Sequence, residues 1–152
     1  MTQRTLIIMK PDAMKRGIWP EIFGIFLKAG FVQLASKQVK PPRAQWLRHY
    51  RDLDPNLQKE VIAFMMQTPV IVAVLEGDNA VANIHDRVGS TFPSEAEIGT
   101  IRHTFGHASR GPMKSNFVHS SANGVEAKRE IGLWFRKNEI HSYRPTYAED
   151  AY

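Results

Sequence analysis

The chain has 152 residues, of which 43% are hydrophobic and 23% are charged. These fractions are ordinary for one globular domain and exclude intrinsic disorder, a collagen-like chain and a coiled coil. The absence of cysteine excludes disulfides and thiolate metal sites, and the net charge of +5 predicts attraction to anions without saying which anions.

Strand and helix patterns alternate along the first half of the chain. The apolar run at residues 5–9 predicts a buried strand that ends in a sharp turn at residues 10–12. A helix is expected from Pro20 to Gly30, followed by a strand over residues 31–39. Two further helices are predicted from apolar residues at helical spacing, namely Trp46, Leu47 and Tyr50 in the first and Leu57, Val61, Phe64 and Met65 in the second.

The second half of the chain begins with its most strand-like segment, PVIVAVLE at residues 69–76. A short helix is expected over residues 79–88. Residues 92–115 are rich in turn formers and predict a long loop, which inside a compact domain is usually functional. A short strand at residues 116–119 and a helix at residues 124–135 complete the pattern.

This order of elements predicts an α+β fold in which helices cover one sheet. The simplest small version is the ferredoxin-like split βαβ arrangement, with an antiparallel sheet of four strands. We expect one domain over residues 1–135, with residues 136–152 as its C-terminal extension. No apolar run is long enough for a signal peptide or a membrane span, so a cytoplasmic protein is predicted.

Common catalytic motifs are absent from the sequence. Neither glycine-rich phosphate-binding signature occurs, and there is no nucleophile elbow and no His-Glu-x-x-His motif. His103 and His107 have the spacing of a helical metal pair, although two surface histidines are the simpler interpretation.

Four residues favour chemistry on an anion. Lys10 closes a buried strand, where side chains often border sites, although a lone lysine there is more often simply solvated. Arg87 comes just before a Gly-Ser-Thr turn able to donate hydrogen bonds to phosphate, and Arg102 follows a Gly-Thr-Ile segment. His119 stands between a short strand and a helix, where it is either a structural histidine or a nucleophile.

Taken in order, these segments resemble the nucleoside diphosphate kinase family over nearly the whole chain, from about Arg4 to Phe135. The resemblance rests on the opening strand RTLIIMKPDA, the pair His49-Tyr50, the patterns G-x-T-x-P from residue 89 and GTIR from residue 99, and the closing N-x-x-H-x-S and E-I-x-x-W-F. No single piece is decisive, but the ordered set is highly specific.

The resemblance implies ping-pong transfer of the γ-phosphate from ATP or another NTP to an NDP or dNDP, which maintains nucleotide pools. His119 would be the nucleophile and form a phosphohistidine, because a neutral imidazole has a free lone pair near pH 7. Glu130 would hold its other ring nitrogen, with Ser121 in support. The substrate-binding residues implied are Lys10, Tyr50, Leu57, Arg87, Thr91, Arg102 and Asn116.

The resemblance also implies a divalent cation and an assembly. Mg²⁺ would arrive on the nucleotide phosphates, so no metal ligands are expected from the protein. A homo-oligomer built from dimers is expected, either a tetramer or a hexamer.

Three departures from the family pattern bear on the site. His85 stands where an arginine is usual, so either it or Arg87 takes that place. Leu57 replaces the aromatic residue that stacks on the base. The stretch 103–115 and the C-terminal tail are longer than usual.

A second class of function starts from the basic charge. A catalytically weak or inactive family member would act as a nucleotide-binding or nucleic-acid-binding regulatory protein. No recognisable nucleic-acid motif, and no basic run with interleaved aromatic residues, supports this alternative.

Overall fold

The computed structural model describes residues 1–106 and 116–146. Within these ranges, four strands form one antiparallel sheet in the order β2-β3-β1-β4, which confirms the predicted α+β, ferredoxin-like fold. The strands are β1 (Thr2–Met9), β2 (Val32–Val39), β3 (Val70–Asp78) and β4 (Val118–Ser120). The helices are α1 (Pro11–Arg16), α2 (Trp19–Lys28), α3 (Arg43–His49), α4 (Pro55–Met65), α5 (Ala80–Val88), α6 (Ile101–Gly106) and α7 (Gly124–Trp134), with short 3₁₀ turns at Pro93–Glu95 and Lys137–Glu139.

The two faces of the sheet have separate apolar cores because side chains alternate along each strand. Leu6 and Ile8 of β1 lie on one face, which α3, α4 and α7 cover, and we call it the site face. Ile7 and Met9 lie on the other, which α2 and α5 cover, and we call it the opposite face. Because the second half of β1, residues 5–9, is buried on both faces, its sequence is an apolar run without alternation.

The pairing of β4 with β1 decides which side chains reach the site face. His119 lies opposite Ile8, so its side chain shares that face, and Ser120, opposite Ile7, points to the other. Lys10 follows Met9 directly and continues the alternation towards the side of His119. The sheet register therefore brings together two residues that are 109 positions apart in sequence.

Several predicted boundaries differ from the structure. The segment at residues 10–12 is not a free turn but the start of α1, whose Pro11 occupies the first turn and whose Gly17 closes it at φ 67°. The predicted loop at residues 92–115 contains a 3₁₀ turn and α6, which are too short to show a period in sequence. The last strand is Val118–Ser120 and not residues 116–119.

The C-terminal segment up to residue 146 runs beside the edge strand β2. Glu139 pairs with Lys37 of β2 at 3.1 Å, and the backbone N–H of His141 donates to the Leu34 carbonyl at 2.9 Å. Among residues 1–106 and 116–146, no helix combines the length and the apolar character that crossing a bilayer requires.

Candidate active site

His119 is the centre of the site on the site face. Its Nε2 lies 2.9 and 2.8 Å from the two carboxylate oxygens of Glu130, which is 2% exposed. An ionised carboxylate only accepts hydrogen bonds, so Nε2 carries the ring proton. The lone pair of the neutral imidazole is therefore on Nδ1, and the side chain is 20% exposed.

Helix α7 presents Glu130 to the sheet. The side chain of Asn123 caps the helix by accepting from the Glu126 N–H at 2.9 Å. Glu130 and Trp134 are one turn apart and face the same way, and both are buried. The indole N–H of Trp134 donates to Nδ1 of His49 at 3.0 Å.

His49 lies at the end of α3 and packs against the candidate nucleophile. The ring centroids of His49 and His119 are 4.7 Å apart, with an interplanar angle of 77°. Burial lowers the pKa of His49 well below its usual value. A proton on His119 would lower it further, as do the positive charges of Arg129 and Lys10. His49 is therefore a neutral ring beside His119.

Lys10 is a buried cation of the site. Its Nζ donates to Oδ1 of Asn116 at 2.6 Å, and Nδ2 of Asn116 donates to the Thr91 carbonyl at 2.9 Å. Burial lowers the pKa of Lys10 to about 7, with a further lowering by the Arg102 charge and an opposing effect of Asp12. The ammonium group is thus held in a poorly solvated position that an anion would stabilise.

Arg102 is the second buried cation, and backbone carbonyls hold it in place. Its Nε, Nη1 and Nη2 donate to the carbonyls of Asn116, Gly89 and Val118 at 3.1, 2.9 and 2.8 Å, respectively. A guanidinium has five N–H donors, so two remain without a partner among residues 1–106 and 116–146 and could serve a ligand. Burial lowers the pKa of Arg102 to about 10.

Glycine is required at position 89, where φ is 93° and a Cβ would lie 2.6 Å from Oγ1 of Thr100.

Phe117, a residue with a strained backbone just before β4, is hydrogen-bonded to the segment that follows β1. Phe117 has φ 69°, its N–H donates to Oδ2 of Asp12 at 3.0 Å, and its carbonyl accepts from the Lys10 N–H at 2.8 Å. Burial raises the pKa of Asp12. Sequence reasoning did not assign a role to Asp12; its position two residues after Lys10 was the available signal.

Tyr50 adds a buried hydroxyl that has no hydrogen-bond partner among residues 1–106 and 116–146. Burial raises its pKa, and the charge of Glu130 raises it further. Such a group normally has a partner, so this hydroxyl is suited to a ligand. Leu57 is half-buried at the edge of the site-face core, and Thr91 is exposed.

Three other residues considered for the site make contacts outside the group around His119. The Arg87 guanidinium rests 5.9 Å from the centre of the Phe31 ring. His85 contacts Ser120 Oγ through Nδ1 at 3.2 Å, on the opposite face. In the described part of the chain, neither of them makes a hydrogen bond or a ring contact with Lys10 or His119. The Ser121 hydroxyl accepts from the Leu6 N–H at 3.3 Å and ties the chain after β4 to β1. His107 lies outside the described residues, so the structure does not describe a His103–His107 pair.

One group of possible metal ligands lies in the described part of the chain. Ligand atoms of His49, His119 and Glu130 lie within 4.8 Å of one another. Two imidazoles and one carboxylate suit zinc, whereas magnesium prefers six oxygen ligands. These residues therefore do not form a magnesium site.

The arrangement can perform nucleophilic attack on an electrophile of high negative charge. Nδ1 of His119 supplies the lone pair, Glu130 holds the opposite nitrogen, and Lys10 and Arg102 supply positive charge. Phosphoryl transfer needs these parts, since it depends on positioning and charge stabilisation.

Comparison with known proteins agrees with this chemistry. A sequence model of the family "Nucleoside diphosphate kinase" matches residues 3–140. A nucleoside diphosphate kinase of Glaesserella parasuis is 40% identical, over 92% of this chain and 99% of the relative. The halophilic nucleoside diphosphate kinase of Halobacterium salinarum in complex with CDP superimposes with a TM-score of 0.91 at 25% identity, over 100% of this chain and 99% of that one. The structure of a transition-state mimic of the Borrelia burgdorferi nucleoside diphosphate kinase, with bound vanadate and ADP, superimposes with a TM-score of 0.88 at 30% identity. The match covers 99% of this chain and 96% of that one.

Proposed function

The chain belongs to the nucleoside diphosphate kinase family, and we propose that it moves the γ-phosphate of a nucleoside triphosphate to a nucleoside diphosphate through Nδ1 of His119. As a member of this family it is a phosphotransferase. The observation that carries the proposal is the contact of both Glu130 oxygens with Nε2 of His119, which leaves the Nδ1 lone pair for attack.

The first half-reaction makes one bond and breaks one. The Nδ1 lone pair attacks the γ-phosphorus, and the bond from that phosphorus to the bridging oxygen breaks. The bridging oxygen keeps the electron pair, and the nucleoside diphosphate leaves. The imidazole then carries a proton on Nε2 and phosphorus on Nδ1, so the ring becomes cationic. The buried Glu130 carboxylate balances that charge at 2.8 Å.

In the second half-reaction a terminal oxygen of another nucleoside diphosphate attacks the phosphorus. The P–N bond breaks, and its electron pair returns to Nδ1, which restores the neutral ring. Nothing is oxidised or reduced, and no proton has to leave Nε2. This symmetry explains why one histidine is sufficient for both directions.

The surrounding polar groups are proposed to bind the phosphates. Lys10 and Arg102 would neutralise charge on the transferring group, since both are desolvated and fixed by neighbouring oxygens. The unpaired Tyr50 hydroxyl would donate to a phosphate oxygen or to the groups around Lys10. Asn116 would hold Lys10 in place, and Thr91 would offer its exposed hydroxyl from the loop after α5.

Three further properties belong to the proposal. Mg²⁺ enters with the nucleotide as part of the substrate, bound to phosphate oxygens. The protein is a homo-oligomer in the cytoplasm. Leu57 covers the base by apolar contact alone, which predicts broad base specificity.

Labelling with [γ-³²P]ATP tests the proposal. The wild-type protein should form an acid-labile, alkali-stable phosphoenzyme, and addition of unlabelled GDP should chase the label into GTP. The His119→Ala variant should form none. The matched control His85→Ala removes a histidine that meets the neighbouring residue of β4 on the opposite face, and it should label like the wild type.

Two results would contradict the proposal. Label that persists in His119→Ala would place the nucleophile elsewhere. Tight binding of GDP by a wild-type protein that never takes up label would favour the catalytically inactive, nucleotide-binding alternative.

A further inference from the structure

Two side chains of α7, one helical turn apart, each contact a histidine from another part of the chain. Glu130 contacts Nε2 of His119, and Trp134 donates to Nδ1 of His49. The two imidazole rings lie edge to face, with centroids 4.7 Å apart. The orientation of one ring therefore limits the orientation of the other.

The bond from Trp134 determines the tautomer of His49. An indole nitrogen only donates, so Nδ1 of His49 must be the acceptor, without a proton. Since the ring is buried and neutral, its proton is on Nε2. The opposite tautomer would set two N–H groups against each other in a buried place and leave both without an acceptor.

The backbone of His49 is also fixed from α7. Arg129 donates to the carbonyls of Arg48 and His49 at 3.0 and 3.1 Å, which satisfies the exposed end of α3. Three residues of α7 therefore each hold one part of the histidine pair. Arg129 holds the main chain of His49, Glu130 holds the ring of His119, and Trp134 holds the ring of His49. Contacts from one helix thus hold both partners of the aromatic contact between the two histidines.

We propose that the Trp134–His49 pair is a positioning element that holds the His119 ring with Nδ1 towards the phosphates. The inference rests on the proposed function, in which Nδ1 is the attacking atom. His49 and Trp134 do not touch the transferred group in this scheme. They act through His119, so they affect the rate of phosphorylation rather than the binding of nucleotide.

The same bond argues against a zinc site at His49, His119 and Glu130. A metal on Nε2 of His49 needs the lone pair there, which would move the proton to Nδ1 and against the Trp134 N–H. The hydrogen bond from Trp134 therefore disfavours metal binding by His49, so a metal ion would not occupy the nucleophile His119.

The chain offers a matched control for Trp134. Trp46 lies in the same aromatic group, with its ring centroid 5.1 Å from that of Trp134, and its side chain is fully buried. Its indole N–H has no acceptor among residues 1–106 and 116–146. Trp46→Phe and Trp134→Phe thus remove the same atoms from one cluster, but only the second removes a bond to His49.

The test combines pre-steady-state kinetics with nitrogen NMR. Rapid quench with [γ-³²P]ATP should show phosphoenzyme formation roughly tenfold slower in Trp134→Phe, as expected for loss of one buried hydrogen bond, with the half-saturating ATP concentration unchanged. Trp46→Phe should stay within about twofold of wild type. Imidazole ¹⁵N spectra should show wild-type His49 protonated on Nε2, and a mixture of tautomers in Trp134→Phe.

The outcomes separate this inference from the proposed function. Equal slowing in both Trp variants would reduce the pair to ordinary packing and overturn the inference, as would a wild-type His49 protonated on Nδ1. A wild-type protein that does not label refutes the proposed function, yet the tautomer of His49 can still be read from the spectra.

Discussion

Strand β4 carries two adjacent residues that meet histidines on opposite sides of the sheet. His119 faces His49 and Glu130 on the site face, while Ser120 contacts an exposed His85 on the opposite face. The two pairs involve adjacent residues of one strand but differ in their surroundings. The first is enclosed by aromatic rings and by α7, whereas in the second the Ser120 side chain is buried and the His85 side chain is exposed.

The cations of the two faces differ in the same way. Lys10 and Arg102 are buried, and burial lowers the pKa of each. Arg87 is exposed, with its guanidinium over the ring of Phe31. A desolvated charge gains most from a bound anion, because the anion replaces the missing solvent. The comparison indicates that burial of the cations, and not the number of basic residues, suits the site face to binding a phosphate.

The largest effect is expected when the buried cation is removed. Lys10→Met should lower kcat/KM for NDP phosphorylation by roughly 10²–10³-fold, since one preorganised group is lost at the transferring phosphate. Arg87→Met makes the same charge change on the opposite face and should stay within about twofold of wild type. Steady-state assays with ATP and dTDP measure both. A large loss in Arg87→Met would show that the opposite-face arginine reaches the phosphates after all.

A smaller effect is expected when the carboxylate behind His119 loses its charge. Glu130→Gln keeps the shape and one acceptor but cannot balance the cationic phosphohistidine. Phosphorylation in a single-turnover assay should slow by roughly ten- to a hundredfold, as for loss of a hydrogen bond to a charged group. Ser120→Ala, which removes the partner of His85, is the control on the opposite face. Equal rates in Glu130→Gln and wild type would leave Glu130 with a structural role only.

Much of the fold was accessible from sequence. β1 and β3 are continuous apolar runs, and α4 has the i, i+4, i+7 pattern of an amphipathic helix. The short elements α1 and α6 were missed, since six residues cannot establish a helical period. Their existence depends on tertiary contacts such as the three carbonyls that bind Arg102 of α6.

The site was less accessible, because most of its contacts join distant segments. The motif around His119 identified the candidate nucleophile, but only the sheet register brings Lys10 to its side. The family resemblance implies that Arg87 binds phosphates, and in the structure its guanidinium lies over the ring of Phe31. The E-I-x-x-W-F pattern includes Trp134, but nothing in the sequence predicts its hydrogen bond to His49.

The last prediction uses the pKa of Lys10, about 7 in the free protein. Below pH 7 the ammonium is already charged, and an anion binds it without proton exchange. Above pH 7 the free protein loses that proton, so binding must take one up again. Affinity for a nucleoside diphosphate should therefore fall as pH rises above about 7, by at most about tenfold per pH unit.

Isothermal titration in two buffers of different ionisation enthalpy counts the protons directly. Wild type should take up nearly one proton more per nucleotide at pH 8.5 than at pH 6. In Lys10→Arg the guanidinium stays charged over this range, so that difference should vanish. The protons of the nucleotide itself contribute equally to both proteins and cancel in the comparison. The same uptake in Lys10→Arg would assign the titration to another group and remove the argument that burial tunes Lys10 for phosphate.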